Sequence, residues 1–189
     1  MTADVRDLFV KASKLYGDAV HQIRDDQWHM PTPCTEWDVR ALMQHLVNEQ
    51  LWVPPLLEGM TIAEVGDRFD GDNLGDDPIA AWNEASEQAR AAVEAVTDLQ
   101  QPTHLSFGDF AAQEYLDQMT FDLHIHGWDL RTGIGADTAM DGELTAYLMP
   151  WAEVAMKAYE QAGATAAPPP IPAGASDQTT ILALSGRRG

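Results

Sequence analysis

The chain is poor in cysteine, in basic side chains and in long apolar runs. Its 189 residues include a single cysteine, Cys34. That excludes an internal disulfide and suits a reducing compartment, so a cytoplasmic location is expected. Lys and Arg number 11 against 30 Asp and Glu, a formal net charge of -19. Nucleic-acid binders need a basic footprint, and anionic membrane surfaces repel so acidic a chain, so neither is an expected partner. No stretch approaches the ~20 apolar residues of a membrane-spanning helix. The opening MTADVRDLFVKASKLYGDAV has no continuous apolar core of the secretory-signal kind. There is no P-loop, no G-x-G-x-x-G and no G-x-S-x-G elbow, so neither a nucleotide site nor a serine triad is indicated. What the chain does have is 45% hydrophobic residues, enough for one globular core without staples.

The apolar residues mostly recur at helical spacing. From Asp4 to about Asp26, Val5, Leu8, Phe9, Ala12, Leu15, Tyr16, Ala19, Val20 and Ile23 follow the three-and-four pattern of an amphipathic helix. A Pro31–Pro33 loop follows. Thr35 opens a second helix in a capping-box-like arrangement with Asp38, and the helix ends before Pro54-Pro55. Thr61 to Pro78 reads as an irregular acidic loop. Its aspartates do not match the EF-hand spacing, and a solvated surface is the expected reading. Further helices are expected over Pro78–Leu99, Ala111–Arg131 and Asp141–Ala162. Pro168, Pro169, Pro170 and Pro172 then make a stiff connector. It divides the chain into a helical bundle over 1–164 and a docking tail over 165–189. In that tail Thr179–Leu184 forms a short strand or a turn of helix, and Gly186–Gly189 is frayed. The expected class is all-α, a four-helix bundle with an extra helix and a short C-terminal tail. Apolar residues of the first or fifth helix make a homodimer conceivable.

Bundles build their sites from polar side chains on facing helices. The segment Asp122-Leu123-His124-Ile125-His126-Gly127-Trp128-Asp129-Leu130 breaks the apolar pattern. Asp122 and His126 lie one turn apart on one face, as metal-binding helices present two ligands. Asp129 continues that face. His45 on the second helix flanks the apolar stripe at Leu42 and Leu46 and offers a third ligand, with Glu49 one turn on. Three protein ligands leave a coordination position open, the layout of a catalytic site. The same residues also fit plainer readings. His45 suits a hydrogen-bonded core histidine, and Asp122 with His126 a helix-surface pair. His124 points elsewhere, to the surface or a second layer. Trp37 and Trp128 read as core fillers. Cys34 precedes a helix N-terminus, which lowers a thiol pKa, yet no base is arranged beside it. It reads as a small buried hydrophobe.

Thr32-Pro33-Cys34-Thr35-Glu36-Trp37-Asp38-Val39-Arg40-Ala41-Leu42-Met43-Gln44-His45-Leu46 resembles the opening motif of proteins related to mycothiol-dependent maleylpyruvate isomerase, within the wider DinB-like metalloenzyme superfamily. The segment Asp122–Leu130 resembles that group's second motif. Ile181–Arg187 resembles the C-terminal signature of a subfamily. The resemblance implies an up-and-down four-helix bundle that binds a divalent metal, usually zinc, through His45, Asp122 and His126. The isomerase carries Glu where this chain has Asp122, and a C-terminal domain where this chain has a short tail. Asp is one methylene shorter, and nickel becomes a reasonable occupant as well. The implied activity is a thiol-dependent transferase or isomerase acting on a small electrophile, with mycothiol or another low-molecular-weight thiol as co-substrate. Asp129 and Glu49 are then second-layer or proton-transfer residues. A metal-dependent hydrolase and a non-catalytic metal-binding bundle are the alternatives.

Overall fold

The computed structural model describes residues 3–163 and 167–188. The expected boundary at residues 164 and 165 falls outside the described residues, as does the terminal Gly189. The chain divides into two compact units, Met1–Ala136 and Asp137–Gly189.

The first unit contains α1 (Val5–Val20), α2 (Val39–Leu57), the short α3 (Ile62–Val65) and α4 (Pro78–Ala95). A two-stranded hairpin, β1 (Pro102–Leu105) and β2 (Gly108–Ala111), leads into α5 (Ala112–Ile134). Four long helices form the bundle, with α1 and α2 each packed between α4 and α5. Contacts fix their directions. Arg6 meets Val96 and Ser13 meets Arg90, so α1 and α4 run opposite. His45 meets Asp122, and Gln101, just ahead of α5, reaches Leu57, so α2 and α5 run opposite. Tyr16, near the end of α1, meets Met43, near the start of α2, so α2 runs opposite to α1, and α5, opposite to α2, returns in the direction of α1. The bundle therefore runs up, down, down, up. The parallel neighbours α2 and α4 are why the connection from 58 to 77 is long: it must travel back along the bundle.

The apolar stripes supply the core. Phe9, Leu42, Leu46, Val93, Leu116 and Leu130 are fully enclosed, and each such side chain contributes roughly 1.5–3 kcal/mol of burial. Tyr16 knits three helices. Its ring lies 4.6 Å from that of Trp82 on α4, and its hydroxyl donates to the Met43 sulfur on α2. Gly17 lets α1 approach this cluster, because a Cβ there would stand 3.1 Å from Trp82 Nε1.

Several boundaries differ from the sequence expectations. α1 stops at Val20 rather than near Asp26, and the chain turns through His21 and Gln22. α2 starts at Val39 with Asp38 as its N-cap, accepting from the Ala41 amide, so Thr35 is not the cap. The residues between fold as a bend that pairs Pro31 with Asp38. α2 also runs through Pro54 and Pro55 instead of stopping before them. They sit in its last turn, where their carbonyls accept from Glu58 and Met60. The acidic connection contains α3, closed by a Thr61–Glu64 capping box. The hairpin was not anticipated either.

The second unit holds α6 (Gly142–Gln161) and α7 (Asp177–Leu184), which pack together. The expected division after α6 therefore differs from the compact units, which divide before it. Residues Thr179–Leu184 are helical, with Ser176 capping α7 through the Thr179 amide. No helix among the described residues is long and apolar enough to cross a membrane.

Candidate metal centre

The α2–α5 contact brings His45, Asp122 and His126 together, with one ligand atom from each within 4.8 Å of the others. The antiparallel pairing is what does this, setting a residue midway along α2 against residues midway along α5. Asp122 stands between two imidazoles. Its Oδ2 lies 3.2 Å from His45 Nε2, and its Oδ1 lies 3.3 Å from His126 Nε2. Donors sharing one ion at about 2.1 Å stand roughly 3.0–3.4 Å apart for octahedral to tetrahedral angles, so these residues fit a divalent metal. Nitrogen and carboxylate donors suit zinc, nickel and their neighbours alike.

Charge is arranged to match. Burial opposes ionisation of Asp122, but His126 and His45 outweigh it and hold the carboxyl well below the usual carboxylate range. Burial likewise opposes protonation of His126, and the Asp122 and Asp129 carboxylates with Cys34 outweigh it, holding the imidazole well above the usual histidine range. The carboxylate is thus ready to receive a cation, and a cation binding there would compete with a proton on His126.

Asp129 is fully buried, and its Oδ2 accepts from His126 Nδ1 at 2.9 Å. In a neutral imidazole that bond would fix the tautomer whose Nε2 lone pair faces Asp122, where it could hold a metal ion. Two residues are placed otherwise than the sequence suggested. Cys34 is half-exposed, and its thiol donates to the same Asp129 oxygen at 3.4 Å, 3.8 Å from His126 Nδ1. Cys34, His126 and Asp129 form a second group with metal-ligand spacing. Trp37 is a wall of the site, its ring 4.7 Å from that of His45 and 5.8 Å from that of His126. Both ride on the 31–38 bend. Gly133 lets that bend close on α5, since a Cβ there would meet the Pro31 carbonyl and the Thr32 methyl at 3.2 Å. His124 is buried, not at the surface. Trp128 is buried as expected of a core residue. The expected patterns looked only along helices, so they missed a loop residue aimed back at one.

Glu49 lies one turn beyond His45 and forms no hydrogen bond with it; it lines a cavity instead. Burial pushes its carboxyl up to about 7, reinforced by the Asp122 charge and opposed by His45 and His126. A carboxyl raised in the folded state favours folding when protonated. That advantage fades as pH rises from about 4.5 to about 7. In metal-free protein, Glu49→Gln should therefore gain stability over the wild type across that window. The gain should be roughly 1–2 kcal/mol, given partial exposure. Melting temperatures of the two proteins at pH values spanning the window check this; parallel curves would show that Glu49 ionises without strain.

A family model described as the mycothiol maleylpyruvate isomerase N-terminal domain matches residues 11–131, a span holding every residue of this site. Two uncharacterized proteins of Mycobacterium tuberculosis, from strains CDC 1551 / Oshkosh and ATCC 25618 / H37Rv, are each 29% identical over 138 residues. Each match covers 71% of this chain and 69% of the relative. No solved structure matches the chain significantly.

Proposed function

The chain belongs to the mycothiol maleylpyruvate isomerase N-terminal domain family, and on that footing we propose that it is a metal-dependent thiol transferase or isomerase acting on a small electrophile. The observation that carries this reading is the Asp122 carboxylate bracketed by His45 and His126 from two helices. Three ligands leave room for an exogenous group, unlike a closed structural site. Family membership supports mycothiol, or another low-molecular-weight thiol, as co-substrate. Zinc is the first candidate ion and nickel the second. A divalent ion held there supplies the Lewis acidity that favours the thiolate form of such a thiol.

The protein's own residues would do the rest. Asp129 holds the His126 proton at Nδ1 and keeps its ring fixed. Trp37 covers one side of the imidazole pair and limits water. Glu49, its carboxyl raised to about 7, would hand a proton on or take one up along the α2–α5 seam. A cytoplasmic, reducing setting would keep both Cys34 and the co-substrate in the reduced thiol form.

Turnover tests this directly. Zinc-loaded protein is incubated with mycothiol and 1-chloro-2,4-dinitrobenzene, where the thiolate sulfur bonds the ring carbon, chloride leaves and the thiol proton passes to solvent. The expected result is a metal-dependent rate at least about tenfold above the thiol alone, a modest demand for an enzyme. Metal-dependent release of phenol from an ester without any thiol, with no rate in the first assay, would replace the transferase reading with hydrolysis.

A further inference from the structure

The His126 ring has two nitrogen edges, and a carboxylate faces each. Nε2 meets Asp122 Oδ1 at 3.3 Å, on the side shared with His45. Nδ1 meets Asp129 Oδ2 at 2.9 Å. On that side the neighbour is the Cys34 sulfur, 3.8 Å from Nδ1 and 3.4 Å from the carboxylate oxygen. An ion bound at about 2.3 Å to sulfur and about 2.1 Å to nitrogen and oxygen sets the sulfur roughly 3.6 Å from the other two donors at tetrahedral angles, and those two roughly 3.4 Å apart. The two sulfur edges bracket the first of these values. The third edge is shorter because a hydrogen bond spans it, and an ion would take that proton's place.

The sulfur is positioned by its own backbone. The Cys34 carbonyl accepts from the Trp37 amide at 2.8 Å and from the Thr32 hydroxyl at 3.2 Å, and the bend is seated on Gly133. Cys34 is half-exposed while Asp129 is fully buried, so an ion arriving from solvent meets the sulfur first. Charge differs between the two edges. Asp122 brings the one negative charge of the first ligand set. Asp129 and a Cys34 thiolate bring two, which cancel a divalent ion and leave no uncompensated charge buried. Thiolate also selects soft ions, whereas imidazole with carboxylate suits harder ones.

We propose that Cys34, His126 Nδ1 and Asp129 form a second ion site, selective for a soft, thiophilic cation, and that it shares the His126 ring with the first. On binding, the thiol proton and the Nδ1 proton pass to solvent, while Nε2–H stays bonded to Asp122. A neutral imidazole has a single lone pair, so an ion at either edge denies the ring to the other. A soft ion thereby disables the first site without occupying it. The sharing rests on the metal reading proposed above; the second site does not.

Cadmium is the probe, because its bond to thiolate gives an ultraviolet charge-transfer band. It is titrated into the metal-free chain, with a phosphine keeping Cys34 reduced. The band is expected to saturate at about one ion per chain in the wild type and in His45→Ala, and to be absent from Cys34→Ser. Asp129→Asn should raise the half-saturating cadmium at least about tenfold. Nickel loaded beforehand should do the same in the wild type but not in His45→Ala. X-ray absorption of the wild-type cadmium complex reads the ligands without any substitution, and one sulfur beside imidazole is expected. No band in the wild type overturns the site. So does sulfur without imidazole, or an affinity untouched by Asp129→Asn, since either makes cadmium the guest of a lone thiol. Loss of the band in His45→Ala would put the sulfur on the first ion and overturn a separate site. Nickel that binds without shifting the cadmium titration overturns the shared ring. A chain that gives the band yet holds no nickel supports the second site and overturns the reading of the first.

Discussion

Replacing His126 with alanine is expected to strip the ion from the protein and to lower thiol-dependent turnover by roughly a thousandfold or more, the scale of losing the Lewis acid outright. The side chain serves two carboxylates at once, Asp122 through Nε2 and Asp129 through Nδ1. Its removal deletes a ligand and leaves Asp129, fully buried, without its imidazole partner. Breaking a buried charged pair from one side costs about 3–5 kcal/mol, so the variant should also melt earlier. His45→Ala separates the two effects. His45 is 26% exposed at its side chain and serves Asp122 alone among the site's carboxylates. Its loss should remove the ion with a much smaller change in melting temperature. Elemental analysis and thermal melts of both variants check this. Full metal content in either would remove that residue from the ligand set.

The second large effect is expected at Asp129. Asp129→Asn keeps the shape of the side chain and removes its charge. The imidazole loses the carboxylate that fixes its tautomer, and metal affinity should fall by about 10–100-fold. Cys34 loses an anionic acceptor in the same step. Competition against a chelator of known strength measures the change. Unaltered affinity and turnover would reduce Asp129 to a packing role.

Much of this arrangement was legible because helices impose a period. The Asp122–His126 spacing places both side chains on one face whatever the tertiary context, and the apolar stripe of α2 marked His45 as out of place. Even so, those residues alone fitted a core histidine or a surface pair equally well. What joins them is the antiparallel pairing of α2 with α5, a long-range fact that no local pattern carries. Cys34 and Trp37 were misplaced for a related reason. The Thr35–Asp38 spacing mimics a capping box, yet Asp38 caps α2, and the residues before it form a bend with freedoms that spacing does not resolve. Pro54 and Pro55 misled in the opposite sense, since in a last turn little remains to be broken. The α3 turn and the hairpin strands are too short to show a period at all.

The central claim is that His45, Asp122 and His126 hold one divalent ion, and metal content of the purified wild-type chain tests it most directly. The expected result is about one zinc or nickel ion per chain, the stoichiometry of a single three-ligand site. Chelation should lower the melting temperature, with the ion at a hundred times its Kd contributing about 2.7 kcal/mol. A protein that purifies without metal, and gains no stability when zinc or nickel is added, would contradict the claim and leave the Asp122–imidazole cluster as a buried ion-pair network.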